Sequence, residues 1–208
     1  MVFPSTSSGW LSRDGELCRA ISRRSRRVDM NGWKTIFVPV LMILSIFGYC
    51  KEAYMSERIT IQSVFSEGGF LPKEYTCDGD GYSPPLSWSE VPSSARSLVI
   101  VSADPDAPAG TFMHWIVFNL PPEVKELPKN TTPEALRKMG ACLGKNTAGQ
   151  TDYCSPCPPR GTHRYFFRIY ALDTKLSIDE GCDISELSSA IEGHIVAQGS
   201  VMGMYKRG

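Results

Sequence analysis

Two aspartates, two histidines and a tyrosine stand where strand-like segments of this 208-residue chain begin or end. Their types suit the capture of a small oxyanion. Asp104-Pro105-Asp106-Ala107-Pro108 closes the apolar run SLVIVSAD (97–104), and its prolines restrict the backbone around two carboxylates. An Asx-type turn capping a strand explains the same Asp-Pro-Asp unit without any site. His114 lies in MHWIVFNL (113–120), where a period of two puts it on one face with Ile116 and Phe118 and puts Trp115 and Val117 on the other. His163 opens HRYFFRIYALD (163–173) and shares a face with Tyr165, Phe167, Ile169 and Ala171. Each histidine thus starts an apolar strand face, as at the mouth of a lined pocket, although a satisfied strand-end residue is the plain alternative for either one alone. Asp104 can orient an imidazole by accepting its N–H, leaving the second ring nitrogen toward a ligand. Imidazole N–H, tyrosine O–H and loop amides are the donors a phosphate or sulfate needs. The third histidine, His194, follows Gly193 at the end of a helical segment and reads as a capping or packing residue.

Other chemistry is weighed against this set. Cys154-Ser155-Pro156-Cys157 has redox or metal spacing, but Pro158 and Pro159 oppose the helix N-terminus that would activate a thiol. Cys77, Cys142 and Cys182 are scattered singly, so neither a metal nor another cofactor is expected. Five cysteines after Cys50 allow two disulfides with one left over, in an unread pairing. No serine sits in a G-x-S-x-G elbow, and a hydrolase built on Asp104 and a histidine is a lesser reading. The expectation is a binding protein that is not an enzyme.

The elements that must position these residues are strands. The composition, 42% hydrophobic and 21% charged, is that of a globular protein with room for one cored domain and an appendage. Its zero net charge hides an asymmetry, since six arginines crowd residues 1–29 while the chain past Cys50 carries 15 basic against 19 acidic side chains. A mildly acidic domain without a basic stripe excludes nucleic acid as the expected partner. Residues 1–29 read as a misassigned start or disordered leader, with Met30 as the alternative start. Residues 30–50 read as a signal-peptide-like or lipoprotein-like segment, because the run Ile36 to Tyr49 is short for a membrane span and Cys50 follows it. Export or membrane anchoring through this segment is expected, with cytoplasmic residence the alternative. From Ile59 onward come ITIQSVF, a Gly- and Pro-rich stretch, the aromatic strands and a last alternating strand over Ile195 to Tyr205. Pro133 to Met139 predicts a short helix, and Asp183 with Glu186 predicts a capping box that starts a second, ended at Gly193. The pattern predicts a mainly β antiparallel sandwich with about two short helices.

SPPLSWSEVP (83–92), DPDAP (104–108), HWIVFNLP (114–121), CPPRGTHRYFFRIYALD (157–173) and EGHIVAQG (192–199) follow one another in order. As a set they resemble the phosphatidylethanolamine-binding, or Raf-kinase-inhibitor-like, family in its bacterial and archaeal branch, over a domain assigned to 56–208. The resemblance implies an antiparallel β-sandwich with a small anion pocket lined by Asp104, His114, His163 and Tyr165, with Pro105 and Pro159 as wall residues. It implies a phosphate-bearing small molecule, lipid headgroup or phospho-group as ligand, and a kinase or protease as a protein partner to be inhibited or regulated. A regulatory module with a vestigial pocket is the alternative. Ser155 and Cys157 stand where eukaryotic relatives carry glycines, which puts the backbone approach at that edge in doubt.

Overall fold

The computed structural model describes residues 57–208. The readings of residues 1–29 and 30–50 lie outside them. Nine strands form two sheets: β1 (Glu57–Arg58), β2 (Thr60–Ser63), β3 (Leu86–Ser89), β4 (Ser97–Asp104), β5 (Phe112–Leu120), β6 (Glu126–Leu127), β7 (Cys142–Leu143), β8 (Thr162–Leu172) and β9 (Ile195–Lys206). The larger sheet runs β1-β9-β8-β4-β5-β7 and the smaller β2-β3-β6. All pairings are antiparallel except β1 with β9, so the larger sheet is mixed at one edge. Helices α1 (Pro133–Lys138) and α2 (Ile184–Ile191) occupy both predicted positions.

Position in the sheet explains composition. β4 is central and buried at every residue, which is why SLVIVSAD reads as a continuous apolar run rather than an alternation. Leu98, Ile100, Phe167 and Ile169 face the smaller sheet and pack with Ile61, Leu86, Trp88 and Leu127. Val99, Val101, Ile116, Phe118, Tyr170 and Leu172 face the other way and pack with Leu187 and Ile191 of α2. That helix begins at a full capping box, in which the Asp183 side chain accepts from the Ser185 and Glu186 amides and Glu186 accepts from the Asp183 amide.

Gly199 marks where β9 meets the chain entering β2: a Cβ there would lie 2.1 Å from the Ile59 carbonyl oxygen, so only glycine permits the approach.

A disulfide joins Cys77 to Cys157, while Cys142, Cys154 and Cys182 are free among the described residues. The Cys154-x-x-Cys157 unit is therefore neither its own disulfide nor part of a metal cluster among the described residues. The bond links positions 80 residues apart and reinforces the Cys77 amide to Pro156 carbonyl hydrogen bond. Closing so long a loop removes disorder from the unfolded chain. A Cys77→Ser variant should lose about 2–5 kcal/mol of unfolding free energy, read by urea denaturation, and reductant should have no further effect on it.

Candidate functional site

The site forms where β4 ends, β8 begins and β5 is interrupted. The β4–β8 ladder ends at Ala103 with Phe166, so Asp104 and Tyr165 are the next residues along the two strands, and His163 lies two residues farther out on the face of Tyr165. The alternation read from HRYFFRIYALD holds: Tyr165, Phe167, Ile169 and Ala171 all enter the inter-sheet core.

His114 is different, and here the parity reading needs correction. Ile116 and Phe118 lie on the α2 side, with Met113, whereas His114 reaches Tyr165 on the opposite side at 5.3 Å between ring centroids. The cause is a register shift between β4 and β5. Ser102 pairs with Trp115 and Ala103 with Met113, leaving His114 as the extra residue of a β-bulge. The bulge resets the alternation, so that His114 joins Trp115 on the inner face.

Hydrogen bonds set both imidazoles. The His163 Nδ1–H donates to Asp104 Oδ2 at 2.7 Å, with side-chain exposures of only 7% and 5%. The His114 Nδ1–H donates to the Cys154 carbonyl at 2.6 Å, and the Cys154 amide returns a bond to the His114 carbonyl at 2.9 Å. Each ring therefore uses its δ nitrogen internally, so the neutral ring offers an acceptor, not the expected N–H, at Nε2. His114 Nε2 is buried without a partner, and so is the Tyr165 hydroxyl. Two buried polar atoms without a hydrogen-bond partner, on rings in contact, are unusual in a native interior. Phe112 stands 4.7 Å from the His114 ring, and the His163 ring stacks on Tyr165 at 6.5 Å, which supplies apolar walls.

Burial, above all other influences, lowers the His114 pKa below its ordinary 6.5, against the opposing pull of the Cys154 carbonyl and Asp104. Burial first, then the Asp104 carboxylate, push the Tyr165 phenol up and keep it a neutral donor.

On the opposite face of β8 from His163, Asp106 accepts from the Arg164 amide and guanidinium, a contact the sequence reading did not single out. Nor did it find the Cys154 carbonyl, since a backbone acceptor leaves no residue-type signal. Pro105 follows Asp104 directly and is half-buried, whereas Pro159 is exposed beside the buried Pro158. His194 is exposed and bonds to Asp173 at 2.8 Å on the surface, away from the cluster. Surface concavities of about 760 and 490 Å³ lie elsewhere, along Arg58 to Glu67 and around Ser177 to Gly181, and none of the site residues lines them.

The phosphatidylethanolamine-binding protein family model matches residues 61–206, spanning every element of the site. The chain belongs to that family. A UPF0098 protein of Methanothermobacter thermautotrophicus is 44% identical over 144 residues, 69% of this chain and 95% of that one. A UPF0098 protein of Chlamydia trachomatis is 46% identical over 155 residues, covering 72% and 99%. Among solved structures, a phosphatidylethanolamine-binding protein homolog from Chlamydia trachomatis is 44% identical with a TM-score of 0.68, covering 74% of this chain and 100% of that one. E. coli YbcL, described as a member of the mammalian family, is 28% identical with a TM-score of 0.66, covering 73% and 99%. Family membership supports a binding or regulatory role in general terms, and the sandwich agrees with these neighbours.

For the site itself, NMR should show His114 as the Nδ1–H tautomer at neutral pH and titrating below 6.5. A titration at or above that value would contradict the burial argument.

Proposed function

We propose that the protein is a non-catalytic binder of phosphate-bearing groups, held between His114, His163 and Tyr165. The observation that carries this reading is the pair of orphan atoms, His114 Nε2 and Tyr165 Oη, buried in ring contact beside the Asp104–His163 pair. The Tyr165 O–H donates to an anion oxygen. His114 Nε2 takes part either by receiving a P–OH proton or by becoming protonated and donating. In both cases the complex carries one proton more than a neutral ring and a fully ionised phosphate.

Binding is the reading because of what the two imidazoles do contact, the Cys154 carbonyl and the Asp104 carboxylate, which orient the rings. The Ser102 hydroxyl is buried and without a partner. A small molecule, a lipid headgroup or a phosphorylated side chain presents the same chemistry, and occupancy would regulate a partner protein such as a kinase or protease. Export belongs to the same proposal, with the Cys77–Cys157 disulfide in support, because such bonds persist in oxidising compartments.

The pH dependence follows with a defined sign. The free His114 pKa lies below 6.5 and a bound anion raises it. Affinity therefore climbs as pH falls from the bound-state value toward the free-state value, and levels off below that. Calorimetry with inorganic phosphate over about pH 5.5–8 should show tighter binding and proton uptake on acidification. Tyr165→Phe and His163→Ala should each weaken binding by about tenfold or more. Phosphate binding that ignores pH, or none at all, would overturn the reading.

A further inference from the structure

The Asp104–His163 bond is one side of a closed ring of contacts. Asp104 Oδ1 accepts the Asp106 amide at 2.8 Å, which forms the turn across Pro105. The Asp106 carboxylate then receives three donors from Arg164: the backbone amide at 2.9 Å, Nε at 2.9 Å and Nη2 at 2.7 Å. The peptide bond from Arg164 to His163 closes the ring. Because β8 alternates, His163 grips Asp104 from inside the sheet while Arg164 grips Asp106 from outside it.

We infer that the Asp106–Arg164 pair consists of positioning residues for the pocket: it holds the Asp-Pro-Asp turn so that Asp104 presents its carboxylate to His163. The functional consequence rests on the phosphate-binding reading above, while the structural link does not.

Energetics supports positioning over bulk stabilisation. The Arg164 and Asp106 side chains are 51% and 28% exposed, and ion pairs in such settings contribute little to unfolding free energy. What a two-pronged guanidinium contact supplies is direction, since both oxygens of Asp106 are fixed in one plane. A carboxylate so fixed leaves the Asp106 amide nowhere to turn except toward Asp104 Oδ1. With the fork gone, the Asp106 side chain rotates freely, the turn loosens, and Asp104 loses the amide that selects its rotamer. Arg164 lies outside the pocket, so none of this requires it to touch the ligand.

The experiment uses the full-length chain with Arg164→Ala, Asp106→Asn, the double variant and Arg164→Lys. It reads inorganic phosphate affinity by calorimetry, the hydrogen-bonded Nδ1–H resonance of His163 by NMR, and the unfolding midpoint. Arg164→Ala and Asp106→Asn should each weaken phosphate binding by about fivefold to tenfold and broaden or remove the resonance, with the midpoint moving only a few degrees. The double variant should be no weaker than either single one, because the two residues act as a unit. Arg164→Lys keeps the charge without the fork, so it should recover part of the affinity and secures the comparison if the alanine variant is poorly folded. Wild-type affinity with an intact resonance in Arg164→Ala, or losses that simply add in the double variant, would overturn the inference. If the wild-type protein binds no phosphate, the pocket reading fails and the resonance alone decides: its loss in Arg164→Ala upholds the positioning role, and its persistence ends it.

Discussion

A carboxylate and an imidazole are buried together at the end of β4, and everything else in the site is arranged around that hydrogen bond. Asp104 and His163 could not each be withdrawn from water alone without a large desolvation cost. Paired at 2.7 Å they are tolerated, and the pairing decides which nitrogen of His163 carries the proton toward the carboxylate. The second Asp104 oxygen is already taken by the Asp106 amide, so the carboxylate has little freedom left. An apolar strand that ends in a rigid carboxylate is thereby joined to an aromatic strand that begins with a histidine.

His114 obeys the same logic with a backbone acceptor. The Cys154 carbonyl holds its δ nitrogen, and the disulfide at Cys157 holds the segment from which that carbonyl projects. The two histidines thus come from neighbouring strands of β4 but are oriented by unlike partners, one charged and one neutral. At His114 burial dominates and lowers the pKa, against the opposing pull of the Cys154 carbonyl and Asp104. An anion entering between Tyr165 and His114 would supply the missing partners and, by its charge, reverse the burial penalty. Proton uptake and anion capture would then be one event.

The fold serves this site by rigidity. β4 is buried on both faces, with one core against the smaller sheet and another beneath α2, so its terminal residue is placed by packing on both sides. β8 is paired with β9 along its whole length but with β4 only from Phe166 onward, so His163 and Arg164 extend past the last β4–β8 pair, on a segment that β9 still holds. Among the described residues the buried side-chain polar atoms without a hydrogen-bond partner are Ser102 Oγ, His114 Nε2 and Tyr165 Oη, the last on a ring that belongs to the inter-sheet core.

Much of this was legible in the chain alone. The continuous apolar run of β4, the alternation of β8, the capping box of α2 and the ordered motifs led to the sandwich and its family, because these are local patterns with fixed periods. His163 and Tyr165 were placed on the correct face for the same reason. His114 was not: its strand is an almost continuous apolar run, so a regular period of two was assumed for it, and the bulge opposite Ser102 and Ala103, which arises from pairing with a neighbour, reverses the face on which the residue appears. The partner of Cys157, the Cys154 carbonyl and the grip of Arg164 on Asp106 are likewise contacts between segments distant in sequence. Residue types and their periods determined which elements form and which residues end them. Only tertiary pairing decided where a strand slips by one residue, and that slip carries His114 into the site.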